Sequence, residues 1–290
     1  MSDTLQRFVF EHAAVRGEIV QLEASWHAIL ERHEYPAPVR ELLGQLMAAA
    51  ALLSATLKYD GILTMQVQGG GPVTLMVVEC SSERTLRGLA HWRGAVDAGL
   101  LPDLVGDGKL IITLDPGNDR ERYQGIVTLQ GDCLAAALDA YLAQSEQLAT
   151  RLWLAADSDR AAGLLVQRLP GHESDEDADT WNRVTHLSAT VEPQELLYLR
   201  GEELLRRLYY EEDVRVFESE PIAFRCKCSR ERVANMLRSL GEDEVLDILR
   251  TEGGVHVKCE FCNQGYEFDE VDVAQLFLPD TSPEAPPTLH

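Results

Sequence analysis

The sequence predicts an α+β fold, with a large mixed α/β N-terminal domain, a helical linker and a small C-terminal module. Strand-like runs fill much of the first 170 residues and helical patterns interrupt them irregularly, which is typical of α+β folds rather than of a regular βαβ winding. An acidic segment with helical periodicity comes next, and four of the six cysteines lie beyond residue 225. These observations place the core domain at 1–172, the linker at 173–220, the module at 221–278 and a proline-rich, disordered tail at 279–290.

The elements of the core domain are predicted from residue type and periodicity. A helix is expected at 38–58, where a proline suits the first turn, and another after Asp132, where Leu134, Leu138 and Leu142 share one face. Strands are expected where runs rich in Val, Ile, Leu and Thr are bounded by Gly, Pro or Asp. The predicted strands are 5–11, 61–68, 72–80, 109–115, 123–130, 150–156 and 163–168.

The linker combines a strong negative charge with an apolar stripe. Between 171 and 220 the chain has 14 Asp or Glu residues against 5 Arg and no Lys. Its leucines recur near helical spacing, which predicts short helices that are marginal alone and need a docking surface. A plain linker or a stably packed helical hairpin is an equal alternative from the sequence alone.

The formal net charge of −22 argues against nucleic acids and anionic membranes as partners, because phosphate groups bind basic surfaces. No run approaches the roughly 20 apolar residues of a membrane span, and the N-terminus lacks the apolar stretch of a secretory signal. The expected location is therefore cytoplasmic, in a compartment where thiols are kept reduced. Cysteines there indicate metal binding or redox sensing more than a disulfide framework.

Four cysteines form the most informative motif of the sequence. Cys226 and Cys228 make a CxC pair, and after thirty residues Cys259 and Cys262 make a CxxC pair. Four thiolates match the tetrahedral coordination that zinc prefers, and metal binding can stabilise a module too small for a sufficient core. We therefore expect one Zn²⁺ per chain at these four residues. A closed four-sulfur site leaves no position for a substrate, which argues against a catalytic ion.

Other residues carry weaker expectations. Basic residues flank the four cysteines and can offset the charge of the thiolates; they are Arg225, Lys227, Arg230 and Lys258. The other two cysteines, Cys80 and Cys133, lie in or beside apolar runs and are expected to be buried core thiols. The large domain shows no convincing acid–base or nucleophile constellation, so the sequence does not predict an enzyme.

The cysteine spacing alone leaves the role of the zinc open. An inert structural zinc, a redox switch and a nucleic-acid-binding finger all fit the pattern, because thiolates are also the oxidisable form of cysteine. The finger is disfavoured, since residues 226–278 contain 6 Lys or Arg against 11 Asp or Glu. A thiol–disulfide oxidoreductase and an inert zinc-stabilised interaction protein are the alternative functions.

Six stretches of the chain match a known family. They are Tyr-Pro-Ala-Pro-Val at 35–39, Leu-Ser-Ala-Thr-Leu-Lys-Tyr-Asp-Gly at 53–61, Arg-Tyr-Gln-Gly-Ile-Val at 122–127, Gln-Ser-Glu-Gln-Leu at 144–148, Phe-Arg-Cys-Lys-Cys-Ser at 224–229 and Cys-Glu-Phe-Cys at 259–262. Through them the chain resembles, over nearly its whole length, the heat shock protein 33 family of redox-regulated holdase chaperones.

The resemblance implies a chaperone that uses no ATP and is inactive while it is reduced and zinc-bound. It implies that peroxide with heat, or hypochlorite, oxidises the cysteines in the pairs Cys226–Cys228 and Cys259–Cys262, after which zinc leaves and the C-terminal module unfolds. It further implies that the active form tends to dimerise, holds unfolded client proteins and passes them to an Hsp70-type refolding system in the bacterial cytosol.

The client-binding residues are predicted from this sequence and not from the family. If the linker helices undock, their apolar stripe becomes an exposed patch able to hold unfolded chains, while the acidic face keeps the complex soluble. The predicted client-binding residues are Leu196, Leu197, Leu204, Leu205, Leu208 and Tyr209.

Overall fold

The computed structural model describes residues 3–56, 60–117, 120–145, 148–170 and 175–278, and it describes 175–178 by their backbone alone. The chain forms two compact units, Met1–Cys226 and Lys227–His290. The predicted α+β fold is confirmed. The predicted tail lies outside the described residues, as do parts of the family-like stretches at 53–61 and 144–148.

Most strands belong to the first unit. They are β1 (Thr4–Phe10), β2 (Val15–Leu22), β3 (Ile62–Gln68), β4 (Val73–Ser81), β5 (Thr85–Trp92), β6 (Lys109–Asp115), β7 (Tyr123–Thr128), β8 (Thr150–Ala156), β9 (Ala161–Arg168), β10 (Val214–Val216), β11 (Glu220–Pro221) and β12 (Ala223–Phe224). The second unit contributes the hairpin β13 (Val255–Lys258) and β14 (Gly265–Phe268).

Helices occur along the whole described chain. In the first unit they are α1 (Ala24–Leu30), α2 (Ala37–Thr56), α3 (Leu101–Val105), α4 (Leu134–Ser145), α5 (Asp175–Ser188), α6 (Pro193–Tyr198) and α7 (Gly201–Leu208). In the second unit they are α8 (Arg230–Leu240), α9 (Glu242–Glu252) and α10 (Glu270–Leu276). Among the described residues, no helix combines the length and the apolar character needed to cross a membrane.

The strands of the first unit form two sheets. The order in the first sheet is β10-β1-β2-β9-β8, and β11 also pairs with β1. The order in the second sheet is β12-β5-β4-β3-β6-β7. Neighbouring strands are antiparallel except β12, which pairs in parallel with β5.

Helix α2 packs between the two sheets and is buried on nearly every side. Met47 lies against Gly88 of the second sheet, and Leu52 lies against Gly163 of the first. A Cβ atom at Gly163 would lie 2.7 Å from Leu52 Cδ1, so a larger residue there would force the Leu52 side chain to shift. A helix that is apolar all round is a buried helix, and α2 accordingly forms the centre of the main core.

The linker helices cover the outer face of the first sheet. Their buried side chains and those of the strands beneath form one apolar cluster, which we call the linker cluster. Its buried members are Val184, Leu196, Leu197, Leu204, Leu205, Leu208 and Tyr209 from the linker, with Phe8, Phe10, Val15, Ile19, Ala155, Ala162, Leu164 and Val166 from the strands. The predicted helices with an apolar stripe are confirmed, and their docking surface is this sheet face.

The second unit has a much smaller core. Three helices and the β13–β14 hairpin enclose eight buried apolar residues among those described. Local signals set its helix ends: the Ser229 side chain accepts the Arg232 N–H at 3.2 Å at the start of α8, and Gly253 ends α9 in the left-handed conformation. The small core agrees with the expectation that burial alone stabilises such a module weakly.

The predicted strands and the two predicted helices are present, with ends that differ by one or two residues in most cases. The predicted strand at 163–168 begins earlier, at Ala161, and the predicted 123–130 strand ends at Thr128. Strands β2 and β5 and helix α1 were not predicted. Both strands mix Arg and Gly with apolar residues, so they lack the continuous aliphatic run that marked the others.

Candidate metal centre

The second cysteine pair lies on the loop of the β13–β14 hairpin. Lys258 and Gly265 are the last paired residues, so the loop holds Cys259 and Cys262 at its tip. The Asn263 N–H donates to the Cys259 carbonyl at 2.8 Å, and the Cys259 N–H donates to the Gln264 carbonyl at 3.0 Å. Asn263 has φ of 59°, a left-handed conformation that asparagine tolerates better than most residues. This tight turn directs two thiols to one side.

The first cysteine pair lies between a strand and a helix. Strand β12 ends at Phe224, and the Arg225 N–H donates to the Leu86 carbonyl of β5 at 3.1 Å. Cys226 follows, and Cys228 directly precedes Ser229, the N-cap residue of α8. The strand end and the helix cap therefore fix both sides of the short CxC segment.

The four sulfur atoms lie close together. Each Sγ of Cys226, Cys228, Cys259 and Cys262 is within 4.8 Å of the other three, and Cys228 Sγ is 3.3 Å from Cys262 Sγ. All four cysteines are partly buried, and none of them forms a disulfide bond. A zinc ion bound to four thiolates at about 2.3 Å requires sulfur separations of about 3.8 Å. The cluster could therefore hold a metal ion, and its all-sulfur donor set fits zinc.

Tyr266 of β14 lies beside this cluster. Its hydroxyl donates to Cys228 Sγ at 3.2 Å. This hydrogen bond, together with the nearby thiols of Cys262 and Cys259, raises the pKa of Tyr266 to about 12. The phenol therefore stays protonated and acts as a donor to sulfur, a role that no sequence motif indicated.

Arg87 of β5 contacts the first cysteine. Its guanidinium N–H donates to Cys226 Sγ at 3.7 Å. Glu79, its cross-strand partner on β4, holds Arg87 through an ion pair at 2.7 Å. Burial alone would lower the pKa of Arg87, but the charge and hydrogen bonds of Glu79 and Cys226 raise it, so the guanidinium is charged. No sequence pattern indicated Arg87, because it lies far from the cysteines along the chain and on a strand that was not predicted.

The basic residues that flank the cysteines were expected to offset the charge of the thiolates. Arg230 instead interacts with other residues of the second unit. Its guanidinium forms an ion pair with Asp272 at 2.7 Å, donates to the Glu267 carbonyl at 2.7 Å and lies 4.2 Å above the Phe268 ring. Arg230 therefore ties α8 to α10 and β14. The arginine that contacts a cysteine sulfur comes from the core sheet.

The remaining two cysteines differ from each other. Cys80 is fully buried as predicted, with its Sγ 3.2 Å from Ser54 Oγ, and burial raises the pKa of its thiol. The prediction that Cys133 is buried was wrong, because its side chain is exposed. Cys133 precedes α4, and the buried face of that helix begins one residue later at Leu134.

The predicted client-binding residues are all buried in the linker cluster. Leu196, Leu197, Leu204, Leu205, Leu208 and Tyr209 are each at most 3% exposed. The Tyr209 ring packs between Phe8 and Phe10 of β1, at centroid distances of 5.8 and 5.0 Å. Its hydroxyl lies 2.7 Å from Ser188 Oγ. Any contact of these residues with another protein would first require the linker helices to leave the sheet.

The fold and the sulfur cluster define a class of protein with an α+β core, a docked helical segment and a four-cysteine unit. The family model for Hsp33 protein matches residues 3–269. The 33 kDa chaperonin of Methylobacillus flagellatus is 50% identical over 278 residues, which cover 96% of this chain and 95% of that protein. The 33 kDa chaperonin of Nitrosococcus oceani is 48% identical and covers 99% of both chains.

A solved structure agrees with this match. The crystal structure of the 33 kDa chaperonin from Thermotoga maritima superimposes with a TM-score of 0.81 at 26% identity, over 94% of this chain and 97% of that one. The chain therefore belongs to the Hsp33 family. It is a chaperone of the Hsp33 type and not an enzyme.

Proposed function

We propose that this chain is a redox-regulated, ATP-independent holdase in which Cys226, Cys228, Cys259 and Cys262 bind one Zn²⁺ in the reduced, inactive form. Bound zinc would offset half of the negative charge of the four thiolates and cross-link them, closing the fold of the second unit. The observation that carries the proposal is the four-sulfur cluster next to a core of eight buried apolar residues. Metal binding supplies on the order of 10–16 kcal/mol to small domains of this kind, so loss of the ligands would unfold the unit.

Oxidation converts ligands into disulfides. Within each pair, Cys226 with Cys228 and Cys259 with Cys262, two thiolates form one S–S bond and give two electrons to the oxidant. With hydrogen peroxide as oxidant, its O–O bond breaks and two water molecules form after protonation. A disulfide sulfur is no longer an anionic ligand, so each bond removes two of the four metal ligands.

Activation then exposes the apolar surface of the linker. We infer that the residues at 173–220 act as a metastable linker between a core domain at 1–172 and a switch module at 221–278. Undocking of the linker would expose Leu196, Leu197, Leu204, Leu205, Leu208 and Tyr209, which are now buried. These side chains would bind unfolded client proteins, whose own exposed surface is apolar.

The setting of this activity follows from the same proposal. The chain would act in the cytoplasm, where reduced thiols are the resting state. The active form would be a homodimer that passes its clients to an Hsp70-type refolding system. The net charge of −22 is consistent with protein clients rather than nucleic acid or anionic membranes.

One experiment tests the metal, the thiols and the activity together. Zinc and free thiols are counted on the reduced full-length protein before and after hydrogen peroxide, while light scattering follows aggregation of a heated client. We expect one zinc and four thiols per chain to be lost, with suppression of aggregation only after oxidation. Reductant added with zinc should reverse the change. Reduced protein without metal, or equal suppression in both states, contradicts the proposal.

Two controls sharpen this test. Catalytic turnover in an insulin-reduction assay would show a thiol–disulfide oxidoreductase instead. For the client surface, Leu204→Ser with Leu208→Ser is compared with Leu100→Ser, because Leu100 is 53% exposed in the core domain. We expect the double variant to hold less client after oxidation than the control does. Full activity of the double variant contradicts the assignment of these residues.

A further inference from the structure

One segment connects the linker helices to the first cysteine, and we call residues 210–226 the strap. After α7 the strap runs along the edge strand of the first sheet, where β10 and β11 both pair with β1. It then changes sheets, and β12 pairs in parallel with β5. The strap ends at Cys226, a member of the sulfur cluster. The strap is therefore a direct covalent route from Cys226 to α7.

The strap is clamped to the core at Glu220 of β11. One carboxylate oxygen of Glu220 is paired with the Arg7 guanidinium from β1. The other accepts from Arg84 Nε at 3.1 Å. A carboxylate held by one arginine from β1 and another from the β4–β5 turn forms charge-assisted hydrogen bonds, which are stronger than neutral ones.

Arg84 connects this clamp to the centre of the core. Its Nη1 donates to the Ser54 carbonyl at 3.0 Å and to Ser54 Oγ at 3.1 Å, near the C-terminal end of α2. The backbone of Arg84 is left-handed, with φ of 61°, a conformation that non-glycine residues adopt only when the surroundings fix it. Its side chain is 16% exposed. Arg84 is therefore a rigid anchor, and Glu220 is the strap residue attached to it.

The strap is also fixed just after the clamp. Ile222 is 5% exposed and belongs to the main core. The Ala223 N–H donates to the Arg84 carbonyl at 3.1 Å. The Phe224 ring lies 4.8 Å beneath the Arg32 guanidinium. These contacts separate the linker from the cysteines by an anchored stretch.

We propose that the Arg7–Glu220–Arg84 clamp is a barrier that insulates the linker helices from the cysteine cluster, so that unfolding of the second unit releases the linker only after the clamp opens. The inference rests on the proposed function, which supplies the metal-dependent unfolding. While Cys226 remains in the sulfur cluster, the strap is held at both ends. The clamp then has little effect on opening of the linker helices. After oxidation releases Cys226, the clamp acts together with the contacts of Ile222, Ala223 and Phe224 to hold the strap on the core.

The test compares Glu220→Gln with the unchanged full-length protein by hydrogen–deuterium exchange. The exchange rate of peptides from α6 and α7 reports opening of the linker, and the rate of β13–β14 peptides reports the second unit. In the reduced, zinc-loaded state we expect the variant and the parent to exchange alike. After peroxide we expect linker exchange in the variant to be about fivefold faster, with the second unit equally exposed in both. Client binding should rise earlier in the same variant.

Two further variants separate the clamp from general destabilisation. Asp115→Asn removes another partly exposed ion-pair carboxylate, paired with Arg122 at 2.8 Å on the second sheet, and should not change linker exchange in either state. Arg7→Gln should act like Glu220→Gln, and the double variant should be no faster than the Glu220→Gln protein. If Glu220→Gln accelerates linker exchange equally in the reduced and oxidised states, or leaves it unchanged after oxidation, the clamp is not a barrier.

These outcomes are distinct from a failure of the proposed function. If the unchanged protein keeps its metal and its folded second unit after peroxide, the proposed redox switch is wrong. The clamp then has no unfolding of the second unit to separate from the linker. If the unchanged protein switches normally while Glu220→Gln releases its linker at the parent rate, only the clamp inference is overturned.

Discussion

The two units of this chain are stabilised by different means. In the first unit, α2 is enclosed by two sheets, and a continuous apolar core surrounds it. In the second unit, the described residues bury eight apolar side chains, and three of the four clustered thiols belong to it. Burial does not respond to oxidants, but thiolate ligands do. The proposed redox switch would therefore act on the sulfur cluster and leave the buried core of the first unit unchanged.

The largest expected effect is unfolding of the second unit when one of the proposed sulfur ligands is removed. Cys259→Ser takes away one of four ligands, and the metal contributes on the order of 10–16 kcal/mol to such folds. We expect the second unit to lose protection from hydrogen exchange, while the two sheets and α2 remain protected. Zinc content and exchange of the full-length protein measure both effects. Cys133→Ser is the control, because its thiol is exposed and lies outside the cluster. Full protection in Cys259→Ser would remove the contrast between the units.

A core substitution should produce the opposite pattern. Leu46 in α2 is fully buried, and Leu46→Ala should lower the free energy of unfolding of the first unit by about 2–5 kcal/mol through lost burial and a cavity. Zinc content should not change. Urea unfolding followed by the signal of the first unit measures the loss. Leu100→Ala, at a side chain 53% exposed, should change it by less than about 0.5 kcal/mol. Loss of zinc in Leu46→Ala would show that the units are not independently stabilised.

A buried carboxyl destabilises the first unit at high pH. Glu18 of β2 is 1% exposed, and its Oε2 has no hydrogen-bond partner among the described residues. Burial raises its pKa from 4.5 to about 7, although Arg16, Arg7 and Arg84 act to lower it. The folded state favours the protonated form of Glu18. The contribution of this group to the free energy of unfolding is therefore greatest below pH 4.5, and it falls as the pH rises through 7.

Replacing this carboxyl should therefore stabilise the protein at high pH. Glu18→Gln removes the cost of ionising a buried group, which is worth up to about 3 kcal/mol at pH 8 for a shift of this size. The gain should shrink toward pH 5, and urea unfolding at several pH values measures it. Glu11→Gln, at an exposed carboxylate paired with Arg215, should show no such pH dependence. A Glu18→Gln protein no more stable than the parent at pH 8 contradicts the argument.

Sequence patterns predicted the parts of this molecule that depend on local signals. The CxxC loop, the apolar stripe of the linker and the all-round apolar helix α2 are each encoded in a short window, and each is present. The pairing of Arg87 with Cys226 and of Arg84 with Glu220 joins residues more than 130 positions apart. Such contacts arise from sheet register, which local periodicity does not specify. The prediction that Cys133 is buried was wrong for a related reason, since its exposure depends on where α4 begins.

The smallest expected effect concerns the packing of the linker helices on the first sheet. Tyr209→Phe keeps the ring between Phe8 and Phe10 and removes only the hydrogen bond to Ser188, whose hydroxyl still donates to the Val184 carbonyl at 2.7 Å. Burial raises the pKa of Tyr209, so the lost group is a neutral hydroxyl worth about 1 kcal/mol.

We therefore expect the linker helices of Tyr209→Phe to open about fivefold more often in the reduced protein, as measured by hydrogen exchange of α5 to α7. Zinc content and the protection of α2 should stay unchanged, because the hydroxyl touches neither the sulfur cluster nor the main core. Tyr210→Phe is the matched control, since that side chain is 83% exposed one residue further on. An equal effect of both substitutions, or none at Tyr209, would mean that this hydrogen bond does not hold the linker on the sheet. An effect of Tyr209→Phe alone would show that the linker helices can open while the main core and the second unit stay folded. The proposed release of the linker helices from the apolar face of the first sheet requires such opening.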